Sequence, residues 1–265
     1  MLTSAAILCS ALFAHAQNND QGFRNTQLSS SRVTGAMKRY NDTLSKEFKK
    51  KNLEYPPAAI YLRAFKSQNE MELWARNAES MEYKLVKTYH ICSISGLLGP
   101  KRAQGDRQVP EGFYFIDEFN PASEYCLSLL LNYPNYSDQL MGKEKLGGDI
   151  YIHGGCVTIG CMPMTNDGIQ EIYTVCLSAK LNGQEYIPVH IYPTRLNKVG
   201  MSYLTREFPR DLARLQFWAD LRNEYLGERD QAQKWAEKKG AAGLEQYKKE
   251  KNQISLDGLK TAMNK

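Results

Sequence analysis

Short strand-like segments between residues 57 and 195 restrict the possible folds more than any other feature of this sequence. They are rich in β-branched and aromatic residues, and polar or glycine-rich turns separate them. About seven such strands are present, namely AIYLRAF, MELWAR, YKLVKTYHI, GFYFI, EYCLSLLL, GDIYIH and EYIPVHIYP. The turns between the first three are short enough for an antiparallel meander. The sequence therefore predicts a mostly β domain.

Helical spacing is found inside this region and before it. Residues 166–181 place Ile169, Ile172 and Tyr173 on one face, which predicts one helix packed on the strands. Apolar residues also recur at helical intervals from Val33 to Phe48, which predicts an amphipathic helix ending near Asn52.

The composition changes along the chain predict four parts. Residues 1–16 are a signal peptide, and residues 17–56 are a polar linker followed by the amphipathic helix. The β domain covers residues 57–195, and residues 196–265 form a helical C-terminal extension with a charged tail. The extension begins with an apolar stripe of Leu212, Leu215, Trp218, Leu221 and Tyr225.

The N-terminus has the pattern of an export signal. A short apolar stretch is followed by Ala14, His15 and Ala16, which match a signal-peptidase site. The stretch is too short to cross a bilayer, and no later segment is apolar enough, so we expect no membrane span. The net charge is +5 and the basic residues are scattered, which does not indicate nucleic acid binding.

Export changes the interpretation of the cysteines, because an oxidising compartment favours disulfides. Cleavage after Ala16 removes Cys9 and leaves Cys92, Cys126, Cys156, Cys161 and Cys176. Since this number is odd, at least one thiol stays free or pairs between chains. A free thiol in such a compartment is either a candidate for chemistry or a buried inert cysteine.

The segment DIYIHGGCVTIGC concentrates the residues that carry chemistry. GDIYIH alternates as a strand and ends at His153, where two glycines allow a tight turn towards Cys161. An imidazole within reach of a thiol is the base that a cysteine nucleophile needs, and a helix beginning near Thr165 favours the thiolate. The N–H groups of Gly160 and Cys161 are then candidate donors to an oxyanion.

Other interpretations of the same residues are open. His153, Cys156 and Cys161, with Cys176 as a fourth ligand, form an HxxCxxxxC metal set, although this spacing differs from the usual zinc motifs. A disulfide between Cys156 and Cys161 would close a very small loop and stabilise little. The residues alone leave a nucleophile and a structural cysteine equally open.

Two separated motifs resemble one known family. HGGCVTIGC is similar to the signature of the L,D-transpeptidase catalytic domain (YkuD-like) family, and GDRQVPEGFYFI resembles its second motif. The stretches GCMPMTNDGIQEIY and VHIYPTRL look like the YafK-type murein L,D-transpeptidase branch. The resemblance implies a β-sandwich catalytic domain with one packed helix, to which the N-terminal and C-terminal helical extensions are added.

Carried over position by position, the resemblance makes Cys161 the nucleophile and His153 the base. Gly160, Thr158 and Gly154 match the motif positions that shape the oxyanion site and orient the nucleophile. Tyr114, beside the second motif, is a weaker candidate for a substrate contact.

The chain departs from the family pattern in two places. Ile159 stands where many members have a second histidine. Met162, Pro163 and Met164 replace an apolar residue and an arginine, so the sequence shows no group there to hold a substrate carboxylate.

The resemblance implies an enzyme that acts on peptidoglycan stem peptides in the periplasm of a Gram-negative bacterium, without a metal or organic cofactor. Cys161 would form a thioester with the stem, and a second amine would complete a cross-link. The alternative is an amidase that trims stems or releases a wall-attached protein through the same intermediate. A third hypothesis is a wall-binding protein with an unreactive Cys161.

Overall fold

The computed structural model describes residues 21–80, 82–142 and 145–226. The predicted signal peptide, including Cys9, and the charged tail after residue 226 lie outside the described residues. Within the described ranges, no helix is both long and apolar enough to span a membrane.

Eight strands form one sheet. They are β1 (Ala59–Phe65), β2 (Glu70–Arg76), β3 (Lys84–His90), β4 (Gly112–Asn120), β5 (Ser128–Leu131), β6 (Tyr151–His153), β7 (Met162–Pro163) and β8 (Pro188–Tyr192). Their order is β3-β2-β1-β8-β4-β5-β6-β7. Strands β1, β2 and β3 are the predicted antiparallel meander, and β8 pairs parallel with β1.

Six α-helices surround the sheet within the described residues. They are α1 (residues 21–29), α2 (Ser31–Lys50), α3 (Tyr136–Met141), α4 (Asn166–Leu181), α5 (Lys198–Glu207) and α6 (Leu212–Leu226). The amphipathic helix predicted before the domain is α2, and the helix predicted at residues 166–181 is α4. The fold is therefore mixed α/β. The prediction of a mostly β domain with one packed helix and two helical extensions did not include α1 and α3.

Strand β4 explains why the predicted sandwich is one continuous sheet instead. Its first half, from Gly112 to Phe115, pairs with β8, and its second half, from Ile116 to Asn120, pairs with β5. The register shifts between Ile116 and Glu118, and such a bulge bends a strand. The long strand thus carries the sheet around a bend without breaking it into two separate layers.

The two edge strands of this order meet. Cys92, just beyond β3, donates its N–H to Pro163 O in β7 at 2.8 Å and forms a disulfide with Cys156. The sheet therefore curls until its first and last strands are joined. This closure protects part of both edges.

The main core lies between the sheet and the helices α2 and α4. Helix α2 buries Val33, Leu44 and Phe48 along the predicted face, and α4 is buried on most of its sides. The N-terminus of α4 is capped by Thr165, whose hydroxyl accepts from Gly168 N.

Helix α1 belongs to the same core. Gln27 is buried, donates to Phe119 O at 3.1 Å and accepts from the Tyr173 hydroxyl at 2.5 Å. Phe23 packs edge-on against Phe119. The prediction of a polar linker is therefore wrong for residues 21–29, because the polar Gln27 satisfies buried partners that lie far away in sequence.

A second core holds α5 and α6 against the other side of β1 and β8. Trp218 and Leu221 of the predicted stripe are buried there with Phe65 and Tyr192, whereas Leu212 is exposed. Trp218 Nε1 donates to Glu111 Oε2 at 2.7 Å. Glu111 Oε1 lies 3.0 Å from Lys66 Nζ, and neither side chain is exposed.

Lys66 also holds the loop between β3 and β4. Its ammonium donates to Leu97 O, Gly99 O and Val109 O, each at 2.9 Å. A buried charge needs this many partners, because an unpaired one is strongly destabilising.

We expect Lys66→Met to lower the free energy of unfolding by about 3–5 kcal/mol, because it leaves the Glu111 carboxylate buried without its cation. Urea denaturation followed by tryptophan fluorescence measures this change. Lys38→Met removes an exposed lysine of α2 and serves as the control, with an expected change within about 0.5 kcal/mol. Equal stability of the two variants would contradict the prediction.

Candidate active site

The turn from β6 to β7 brings the two predicted catalytic residues to one edge of the sheet. These strands pair in parallel, with Ile152 opposite Met162 and His153 opposite Pro163. Met164 N donates to His153 O at 2.6 Å and extends this pairing. His153 therefore ends β6, and Cys161 directly precedes β7.

Cys161 is half-buried and its thiol contacts backbone groups of the preceding segment. Sγ accepts from Tyr151 N at 3.4 Å and donates to Asp149 O at 3.5 Å. Burial raises the pKa of the Cys161 thiol, the Tyr151 hydrogen bond lowers it, and the nearby Asp149 raises it again. On balance these groups favour the neutral thiol of Cys161.

His153 is buried, and its ring orientation is defined by one hydrogen bond. Nδ1 lies 2.6 Å from Gly154 O, and a carbonyl can only accept, so Nδ1 carries the proton and Nε2 is the basic nitrogen. Burial lowers the pKa of His153, and the hydrogen bond to Gly154 opposes this shift. The ring packs on Tyr125, with centroids 4.8 Å apart.

The packing around the Cys161 thiol and the His153 imidazole favours the neutral form of both groups. Among the described residues, no hydrogen bond joins the His153 ring to Cys161 Sγ. Proton transfer between them needs a closer approach than this structure shows.

Thr158 organises the backbone around the nucleophile. Its hydroxyl accepts from Gly160 N at 3.1 Å and from Cys161 N at 2.8 Å, and it donates to Cys161 O at 2.8 Å. The two predicted oxyanion donors thus already bind this side chain. An oxyanion that uses them has to displace the Thr158 hydroxyl.

The glycines of the motif are required by the backbone. A Cβ on Gly154 would lie 2.6 Å from Asn166 Oδ1 and 2.7 Å from Tyr125 O. Gly160 has φ of +143°, a conformation that other residues rarely adopt. Both positions thereby shape the turn that carries Cys161.

Cys156 is bonded to Cys92, a pairing that the sequence did not indicate. It is therefore neither paired with Cys161 nor available for the HxxCxxxxC set. Cys126, Cys161 and Cys176 are free thiols among the described residues, and Cys176 is fully buried in α4. The disulfide connects the turn between His153 and Cys161 to the far edge of the sheet.

Tyr114 lies in the core, where its hydroxyl donates to Asp138 Oδ2 at 2.9 Å. This placement favours a structural role over a substrate contact. His190 is also buried, and burial first and then Arg63 lower its pKa to about 3.

Sequence reasoning missed Lys101 as a residue near the nucleophile. Its side chain is almost fully buried and its ammonium donates to Ala103 O at 2.8 Å and to Asp106 Oδ1 at 2.5 Å. The positive charge of Lys101 favours the Cys161 thiolate, against the effect of burial. The signal in sequence is only a lysine in a polar loop.

Comparison with known proteins agrees with these motifs. The model of the L,D-transpeptidase catalytic domain (YkuD) matches residues 60–191. The Escherichia coli K12 protein named "Putative L,D-transpeptidase YafK" is 36% identical over 184 residues, which cover 69% of this chain and 70% of that protein. The protein of the same name from strain O157:H7 gives the same values.

Two solved structures show weaker similarity. The helical cell shape determining protein Pgp2 from Campylobacter jejuni is 17% identical, with a TM-score of 0.42 over 76% of this chain and 70% of that one. Bd1075 from Bdellovibrio bacteriovorus is 22% identical, with a TM-score of 0.38 over 62% of this chain and 60% of that one. At these scores neither structure carries a functional argument.

We expect Cys156→Ser to lower the free energy of unfolding by about 2–4 kcal/mol, because it opens a covalent link between distant parts of the chain. A reducing agent should lower the stability of the wild type to a similar value and leave the variant unchanged. Cys126→Ser, which removes a free thiol, is the control and should keep the sensitivity to reductant.

Alkylation of Cys161 by iodoacetamide should be slow at neutral pH and rise about tenfold per pH unit into the alkaline range, since the thiolate is the reactive form and burial raises the pKa. Mass spectrometry of the labelled peptide in a Cys126→Ser background measures the rate at this site alone. A rate that is already constant around neutral pH would indicate a preformed thiolate and imidazolium and would contradict the prediction.

Proposed function

Because the chain belongs to the L,D-transpeptidase catalytic domain family of cysteine transpeptidases, we propose that it joins peptidoglycan stem peptides through a thioester on Cys161. The observation that carries this proposal is the parallel pairing of β6 with β7, which places Cys161 beside Tyr151, two residues before His153 on the neighbouring strand. The tautomer that Gly154 imposes leaves Nε2 of a neutral imidazole as the base.

The first half of the reaction forms the acyl-enzyme. His153 Nε2 takes the proton of the Cys161 thiol, and the thiolate attacks the carbonyl of the L-configured centre of diaminopimelate. The bond to the following D-alanine breaks, and the imidazolium protonates the departing amine. The chain's own side chains supply each proton transfer in this step.

The second half transfers the acyl group. The amine of a second stem peptide attacks the thioester carbon and gives its proton to His153. A new amide forms as the C–S bond breaks, and the imidazolium returns the proton to the Cys161 thiolate. The N–H groups of Gly160 and Cys161 stabilise the oxyanion in both halves when the carbonyl oxygen takes the place of the Thr158 hydroxyl.

The neutral resting state suits this sequence of steps. Burial disfavours both a free thiolate and a free imidazolium, because it lowers the pKa of His153 and raises the pKa of Cys161. This arrangement limits side reactions of the thiol with other electrophiles.

Peptidoglycan lies outside the cytoplasm, and the enzyme family therefore acts extracytoplasmically. We place this enzyme in the periplasm of a Gram-negative bacterium, with stem peptides as its partners. Attachment of another amine acceptor, such as a wall-bound protein, uses the same thioester.

The test is mass spectrometry of muropeptides after incubation of purified full-length protein with peptidoglycan that carries tetrapeptide stems. We expect dimers joined between two diaminopimelates with the wild type and none with Cys161→Ala. His153→Ala should reduce the rate by about 10²–10⁴, because the base is lost. His90→Ala, which changes an exposed histidine at the end of β3, is the matched control and should keep the wild-type rate.

Peptidoglycan with attached lipoprotein remnants distinguishes the alternatives. If the remnants are released or the stems are trimmed, and no new dimers form, the protein is an amidase that uses the same thioester and not a transpeptidase. No change in either substrate would leave a wall-binding protein.

A further inference from the structure

A pocket of about 330 Å³ lies between the loop that connects β3 with β4 and helix α6. Leu98, Arg102, Gln108, Met141, Arg214 and Phe217 are among its lining residues. None of these residues has a role in the acyl-transfer steps described above.

One residue of the pocket lies against the turn that carries Cys161. Gln108 lines the pocket, and its carbonyl oxygen lies 3.6 Å from the position that a Cβ on Gly160 would occupy. Lys101, which precedes Arg102, acts electrostatically on the Cys161 thiol. Gln108 and Lys101 therefore connect the loop that lines the pocket to the turn that carries Cys161.

The carboxylates around the pocket are already bonded within the protein. Asp106 accepts from the N–H groups of Arg102, Ala103 and Gln108, each at 3.0 Å, and from the Lys101 ammonium. Both oxygens of Asp211 bind Arg214, one its backbone N–H and the other its guanidinium, at 3.0 Å each. These carboxylates offer little to a cationic ligand.

The guanidinium groups of Arg102 and Arg214 have N–H donors that can bind a ligand. Arg102 uses Nη1 to bind Asp138 Oδ1 at 2.8 Å and Lys101 O at 3.2 Å. Arg214 uses Nη1 to bind Leu98 O at 3.0 Å and Nη2 to bind Asp211. Within the described part of the chain, no hydrogen bond engages Nε of either arginine or Nη2 of Arg102.

Aromatic rings hold both guanidinium groups in place. Arg102 lies over the Phe217 ring at 5.6 Å, and Arg214 lies over the Phe208 ring at 5.0 Å. Because these contacts and the ion pairs limit rotation, the donors are oriented before a ligand arrives. Arginine also matches the planar shape of a carboxylate.

We propose that this pocket binds the free carboxylate at the end of a peptidoglycan stem peptide, with Arg102 and Arg214 as the donors. The inference rests on the proposed function and names a substrate-positioning site for it. Met162, Pro163 and Met164, which follow the nucleophile, are buried and apolar and offer no side-chain donor for this carboxylate. The loop after β3 and the C-terminal helix supply that donor.

Binding is measured with the full chain carrying Cys161→Ala, so that no turnover occurs. The probes are a stem tetrapeptide that ends in a D-alanine carboxylate and the same peptide amidated at its C-terminus, each titrated by calorimetry. We expect the acid to bind at least about tenfold more tightly than the amide, as charge-assisted hydrogen bonds require.

Arg214→Gln should remove most of this difference, because it weakens binding of the acid and leaves binding of the amide unchanged. Arg206→Gln, on the exposed side of α5, is the matched control and should keep the full preference. We choose Arg214 first because Arg102 also forms an ion pair with the buried Asp138. Replacing Arg102 would leave that carboxylate buried without a partner and destabilise the fold. Thermal unfolding of each variant confirms that it is folded.

A stem tripeptide that ends in the diaminopimelate carboxylate identifies the source of the bound group. If the acid binds more tightly than the amide only for the tetrapeptide, the pocket holds the carboxylate of the leaving D-alanine. If this difference is found only for the tripeptide, the pocket holds the carboxylate of the acceptor stem. Equal binding of acid and amide by the protein with both arginines, or full preference in folded Arg214→Gln, would overturn the proposal.

The two proposals fail in different ways. The wild type could form no muropeptide product while the Cys161→Ala protein still binds the acid more tightly than the amide. This result would overturn the proposed transpeptidase activity and leave the proposed carboxylate site in place. If the wild type forms cross-linked dimers but the Cys161→Ala protein binds acid and amide equally, the proposed carboxylate site is overturned and the proposed activity stands.

Discussion

The ion pair between Lys66 and Glu111 connects the three parts of the molecule on which the site depends. Lys66 follows β1 in the centre of the sheet, Glu111 lies just before β4, and Trp218 of α6 donates to the same carboxylate. Neither charged side chain is exposed, so each needs the other to remain ionised inside the protein. The three carbonyls bound to Lys66 belong to the loop that carries Lys101 and Arg102, and this loop forms one side of the site.

A second constraint acts on the nucleophile turn from the opposite direction. The Cys92–Cys156 disulfide joins the edges of the curled sheet within the turn, and the hydrogen bond from Cys92 to Pro163 joins them just after it. Asp149 and Cys156 have positive φ angles near this turn, a conformation that costs energy for residues other than glycine. Covalent and backbone links around the turn hold this unfavourable geometry and thereby define the position of Cys161.

The electrostatics of the site follow from the same packing. A half-buried thiol and a buried imidazole both favour their neutral forms, and the cation of Lys101 is partly neutralised by Asp106. The protein thus avoids storing an ion pair at a site that must release its product. In the proposed reaction, charge separation is coupled to the arrival of a substrate carbonyl, whose developing oxyanion competes with the Thr158 hydroxyl for the two N–H groups.

The sequence by itself determined what depends on short-range patterns. The period of apolar residues located α2 and α4, the alternating segments located the strands of the meander, and the spacing of His153, Gly160 and Cys161 identified the motif. Tertiary structure alone decided that Gln27 lies in the core, that Cys156 pairs with Cys92 and that Arg102 and Arg214 face one pocket. Local patterns record the conformation and the buried face of each segment, because these depend on neighbours a few residues away. The meeting of distant segments depends on the bend of β4 and the curl of the sheet, which no single segment encodes.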